Sequence, residues 1–132
     1  MAEREAIYLE KAVESLDGAA SELVNGRYTN CANRCYYSCF QAAIYGLAEA
    51  GVQPAGARAT WSHETLQGAF ARELISRRKV YSGDLRSVLL RNQELRLTAD
   101  YEPHTVTQTQ ALRALRRTET FIEAIQRRGA RS

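Results

Sequence analysis

At 132 residues and 45% hydrophobic, the chain is long enough to bury a core of its own without disulfides or a structural metal. Its 25% charged residues are those of an ordinary soluble protein, and no apolar run approaches the ~20 residues that cross a bilayer, so no membrane role is expected. A net charge of +3 does not by itself argue for nucleic acid.

Taken in order, the first residues carry mixed charge and no apolar core of signal-peptide type, so a cytoplasmic location is expected. From Glu3 to Gly26, Ala6, Leu9, Val13, Leu16, Ala20 and Leu23 recur in steps of three and four, which predicts an amphipathic helix stopped by Gly26. The next helix, capped at Thr29 or Asn30 and ending at Gly51, is apolar or aromatic almost all the way round from Asn33 to Ala48. Such a helix must be central, with Tyr36, Tyr37, Phe40 and Ile44 in the core. Cys31, Cys35 and Cys39 stand at i, i+4 and i+8 on it. That spacing favours contact over disulfides, and with only His63 and His104 to add, no metal site and no cofactor are expected.

After a loop at residues 52–57, Ser62 caps a third helix that places Glu64 in its first turn and buries Leu66, Phe70, Leu74 and Ile75, ending near 77–79. A fourth helix, capped by Ser82 and stopped by Pro103, has the stripe Leu85, Leu89, Asn92, Arg96, Ala99, widened by Val88 and Leu95. Its apolar neighbours fix the phase, so Asn92 and Arg96 must point at the core or its rim, where polar groups are costly unless paired. Thr105 and Gln108 form a capping box for a fifth helix with Ala111, Leu115, Thr118, Ile122 and Ile125 inward; 127–132 reads as a frayed basic tail. No segment alternates with period two, and there is no internal repeat. The expectation is an all-α fold, an up-and-down bundle of about five helices forming one domain over 1–132 with its core at 5–126.

Glycine-rich phosphate loops, nucleophile elbows and metalloprotease motifs are absent. What remains is the polar insertion on the fourth helix: Arg91, Asn92, Arg96, Asp100 and Tyr101. Arg96 and Asp100 are i, i+4, which makes either a structural ion pair or an arginine held ready for phosphate. His63 follows Arg58 by five positions and has the chemistry of a general base; Trp61 and Tyr101 are either base-stacking rings or core lids. The arginines fall in two groups, Arg72, Arg77 and Arg78 with Lys79, and Arg113, Arg116, Arg117, Arg127, Arg128 and Arg131. Such groups either neutralise phosphates or solvate helix faces.

Three stretches, Asn33-Arg34-Cys35-Tyr36-Tyr37-Ser38-Cys39-Phe40-Gln41-Ala42-Ala43, then Ser62-His63-Glu64 with Phe70, then Arg96-Leu97-Thr98-Ala99-Asp100-Tyr101, resemble the HEPN family (higher eukaryotes and prokaryotes nucleotide-binding domain) over residues 5 to 126. The likeness is strongest to its small single-domain prokaryotic branch. It implies a helical bundle, commonly a homodimer, often partnered with a minimal nucleotidyltransferase, and in many members a metal-independent endoribonuclease acting as a toxin. That activity goes with Arg-x4-6-His on a late helix. Here Arg96 matches the arginine, Asp100 and Tyr101 stand where the histidine would fall, and His104 follows after seven intervening residues. The expectation is a module that binds nucleotide, RNA or a protein partner through Arg96, Asp100, Tyr101 and Asn92. The alternatives are a ribonuclease toxin, with Arg96, Asp100 and His63 as catalytic candidates, and a structural helical interaction protein.

Overall fold

The computed structural model describes residues 3–55, 60–101 and 105–131. Five helical segments follow one another: α1 (Glu3–Val24), α2 (Tyr28–Glu49), α3 (His63–Ala69, continued as a π-helical stretch, Phe70–Arg77), α4 (Asp84–Tyr101) and α5 (Gln108–Arg131). The fold is all-α, and none of the described residues lies in a strand. Among them no helix is long and apolar enough to cross a membrane.

α2 packs against each of the other helices. It begins at Tyr28, one residue before the expected caps, behind Arg27 and without a side-chain cap. Gly26, at φ +74°, makes the tight reversal from α1 that only glycine adopts without strain. Contact between α1 and α2 runs through small residues: Ala12 and Ala19 are fully buried, and Ser38 donates from Oγ to the Ala12 carbonyl at 2.7 Å. The larger residues expected to form this stripe, Leu9, Val13, Leu16 and Leu23, lie half-buried on its flanks, and Ala6 is exposed. Close helix approach selects alanine at the seam and displaces bulk to the sides.

The sequence expectation for α2 needs one correction. Tyr36 is buried, but Tyr37 is 46% exposed, and Phe40 and Ile44 are half-buried. Helical neighbours are turned about 100° apart, and the short α3 covers Tyr36 and Phe40 through His63 without closing over Tyr37.

At α3, Ser62 Oγ accepts from Thr65 N at 3.2 Å and Thr65 Oγ1 accepts from Ser62 N at 3.1 Å, a reciprocal capping box. Leu66, Phe70 and Leu74 are buried as their spacing predicts, while Ile75 is half-buried. The corresponding box of α5 is made by Thr107 and Gln110, at 3.1 and 2.9 Å, two residues beyond the expected pair. The frayed tail is also corrected: α5 stays helical through Arg131. Arg127 pairs with Glu123 at 3.5 Å, one turn back. Gly129 lies so close to α2 that a Cβ there would stand 2.8 Å from Tyr45 Oη.

Two apolar clusters result. One gathers Cys39, Ala43, Leu47, Leu66, Phe70, Leu74, Leu89, Phe121, Ile122 and Ile125; the other holds Ala19, Cys31, Cys35, Leu95, Val106, Ala111 and Leu115. The polar insertion of α4 lies at the level where they meet.

Candidate functional site

Asn92 and Arg96 are one turn apart on α4, and the packing treats them differently. Asn92 is 1% exposed. Its Nδ2 donates to Thr118 Oγ1 at 2.9 Å and faces Cys39 Sγ at 3.3 Å and the Cys35 carbonyl at 3.4 Å. Its Oδ1 accepts from Arg117 Nε at 2.7 Å. Thr118 hands its own proton to the Ala114 carbonyl at 2.7 Å. Every hydrogen-bonding atom of the amide is thus used inside the bundle, tying α4 to α2 and α5 between the two clusters. Burial also pushes the Cys39 thiol up to about 12, against the opposing pull of Thr118 and Asn92, so this cysteine stays a thiol at neutral pH.

Arg96 turns outward, with its side chain 28% exposed. Its guanidinium carbon lies 4.6 Å from the centroid of the Tyr36 ring and 5.6 Å from that of Tyr37, and the two rings meet edge-on with centroids 5.0 Å apart. Asp100 Oδ2 is 3.5 Å from Arg96 Nε, a charge contact rather than a bidentate fork. The rings hold the guanidinium plane by cation–π attraction, and the carboxylate holds one edge. That is a pre-oriented cation over a half-exposed tyrosine.

The structure brings His63 to the same place from α3, although nothing in the spacing along the chain relates it to Arg96. Its Nδ1 is 2.8 Å from Tyr36 Oη and its Nε2 2.7 Å from Gln67 Nε2. Gln67 Nε2 is also 3.4 Å from the Leu89 carbonyl, a contact that only the amide nitrogen can make favourably. An amide nitrogen only donates, so His63 Nε2 accepts and its proton resides on Nδ1, which donates to Tyr36 Oη. Burial, reinforced by Arg96, holds the His63 pKa below its ordinary value and favours this neutral form. The Tyr36 pKa is raised, by burial ahead of the opposing Arg96 charge. With both ring nitrogens engaged inside the protein, His63 positions Tyr36 and has no free nitrogen to offer as a base.

Of the predicted site residues, Arg96 and His63 meet at the Tyr36 ring and Asp100 lies against Arg96, whereas Asn92 lies beneath in the interior. Tyr101 ends α4, and its side chain, like Arg58, Pro103 and His104, lies outside the described residues. Trp61 packs half-buried on the larger cluster. The first arginine group converges on Glu73, with Arg72, Arg77 and Arg78 at 3.4, 3.1 and 3.8 Å. Among the described residues no three His, Cys, Asp or Glu side chains form a group able to hold a metal ion. Sequence reasoning missed Tyr37 and Gln67. The signal for Tyr37 was the Tyr-Tyr pair itself, since adjacent helical positions face different directions.

The model of the HEPN domain family matches residues 6–128. The chain belongs to the HEPN domain family. Among curated proteins, none matches it. Both Arg96 and the tyrosine pair of this HEPN domain fall within the matched residues.

Proposed function

We propose that this HEPN domain is a binding module for single-stranded RNA or nucleotides, in which Arg96 takes a phosphate and the exposed face of Tyr37 stacks a base. The observation that carries the reading is the guanidinium held over two tyrosine rings with an acidic neighbour one turn away. An arginine whose plane is fixed by stacking loses little side-chain entropy when its free N–H groups meet phosphate oxygens. Asp100 orients it, and Tyr101 follows Asp100 in sequence at the end of α4. Binding is favoured over a ribonuclease toxin because both ring nitrogens of His63 are taken up within the protein.

A homodimer, and a nucleotidyltransferase-type protein partner, belong to this proposal. Light scattering at micromolar concentration reads the first: twice the chain mass of 14.8 kDa supports it, and 14.8 kDa itself counts against it. Ligand binding is read by anisotropy of a labelled single-stranded oligoribonucleotide. Wild type should bind with an affinity that falls as salt rises, and Tyr37→Ala should weaken it about tenfold, the loss of one stacked base. An affinity indifferent to both salt and Tyr37→Ala would sink the proposal.

A further inference from the structure

Arg117 divides its hydrogen-bonding capacity between the interior and the surface. Its Nε donates to Asn92 Oδ1 at 2.7 Å, which lays the half-buried side chain across to α4 at the level of Asn92. Neither Nη group has an acceptor among the described residues, and neither is closed off from solvent. Burial lowers the pKa of this guanidinium, and on α4 the exposed Arg91 adds to that effect while Glu94 opposes it. Among the described residues neither Arg91 nor Arg117 forms an ion pair. The guanidinium is thus fixed by a buried amide, with its fork end open and a like charge beside it, an arrangement that an anion relieves.

Arg91 and Arg96 stand on opposite flanks of α4. At about 100° per residue, the arc between them that faces away from the core carries Leu97 and Leu90, within about 20° of each other. They are 41% and 40% exposed. Five large hydrophobic side chains are exposed among the described residues: Ile7 and Val24 on α1, and Leu90, Leu97 and Tyr37 here, with Tyr37 beside Arg96. A strip therefore runs over α4 from Tyr37 and Arg96, across Leu97 and Leu90, to Arg91 and Arg117.

Cations at the two ends with apolar side chains between them suit a single nucleic-acid strand, whose phosphates follow the charges while its bases and sugars cover the apolar ground. A helix with its side chains is about 10 Å across, so one phosphate cannot serve both flanks. A strand of several nucleotides can. Glu94 lies on the same arc and works against phosphate there.

We infer that the ligand is an extended single strand of RNA that crosses α4, with Arg96 taking a phosphate on one flank, Arg117 and Arg91 taking another on the far flank, and Leu97 and Leu90 beneath the nucleotides between. This inference rests on the reading of Arg96 and Tyr37 given above and narrows it: the ligand class is a polynucleotide and not a mononucleotide.

Anisotropy titrations of the full chain with a labelled diribonucleotide and a labelled octaribonucleotide test it. The octamer should bind about a hundredfold more tightly than the dimer, more than its extra registers supply. Arg91 is the residue to change on the far flank, because it makes no bond within the protein, whereas loss of Arg117 would strip Asn92 of its donor. Arg91→Gln and Leu97→Ser should each weaken the octamer about fivefold and leave the dimer unchanged, with unaltered melting temperatures. Arg91→Gln should also lower the salt slope for the octamer by about one, and Glu94→Gln should tighten octamer binding. An octamer that gains only what its registers supply would overturn the inference, as would octamer affinity indifferent to both Arg91→Gln and Leu97→Ser; a loss on Tyr37→Ala would then leave the local Arg96 reading standing. Leu97→Ser that splits a dimer in light scattering while octamer affinity is kept would assign the face to a protein contact and overturn it as well. Octamer binding indifferent to salt and to Tyr37→Ala would bring down the earlier reading together with this one.

Discussion

Asn92 and Arg96 occupy one stripe of one helix, four residues apart, and both interrupt an apolar pattern. Asn92 has its amide fully spent on Arg117, Thr118 and the α2 backbone. Arg96 has its guanidinium parked on ring faces and a single carboxylate contact, with its side chain partly in solvent. The lesson is that a polar residue on an inner stripe is read by how much of its hydrogen-bonding capacity the protein consumes. When the interior uses all of it, the residue holds the fold; when capacity is left over at the surface, it is available to a ligand.

The largest effect that would break or sharpen this contrast is on the Asn92 side. Asn92→Ala leaves Arg117 Nε and Thr118 Oγ1 without their partner and opens space between two clusters, so denaturant melts should show a loss of about 3 kcal/mol. Thr118→Val keeps the shape but removes the acceptor for Asn92, and should cost about 1–2 kcal/mol in the same measurement. A value near zero for both would mean that the buried layer is not what joins α4 to α2 and α5.

A smaller, pH-dependent effect belongs to the surface side. The folded-state pKa of His63 lies below its ordinary 6.5, so the unfolded chain binds the proton more readily. Stability should therefore be full above about pH 6.5 and decline as pH falls from there toward the folded value. His63→Gln should remove that part of the slope, and a wild-type profile unchanged by the substitution would show that His63 is not held neutral against Tyr36.

The helices were legible because their signals are local: stripes at three- and four-residue steps, Ser62 as a cap, and Gly26 as a stop all work over a few residues. Asn92 and Arg96 stood out for the same reason, since their apolar neighbours fix the phase of α4. What the chain could not announce depends on partners distant in sequence. Tyr37 is exposed because α3 stops short of it, Phe121 is buried because it meets Phe70 at 5.5 Å, and His63 reaches Tyr36 across 27 positions. The tail at 127–131 stays helical, with Gly129 set against α2, a contact that its own arginine-rich composition does not encode. The π-helical turn at Phe70–Arg77 likewise has no local sequence mark.

The central claim is that the two halves of the α4 insertion do different work, and Arg96→Ala set beside Asn92→Ala tests it most directly. Both variants would be melted in denaturant and titrated with the same single-stranded oligoribonucleotide at low and high salt. Arg96 contributes an i, i+4 pair and a partly exposed cation–π contact, so its removal should cost only about 1 kcal/mol of stability while abolishing salt-dependent RNA binding. Asn92→Ala should show the reverse, a large loss of stability with affinity kept in the fraction that remains folded. RNA affinity unchanged in Arg96→Ala, together with a loss of stability as large as that of Asn92→Ala, would contradict the account and make Arg96 a structural residue like its neighbour.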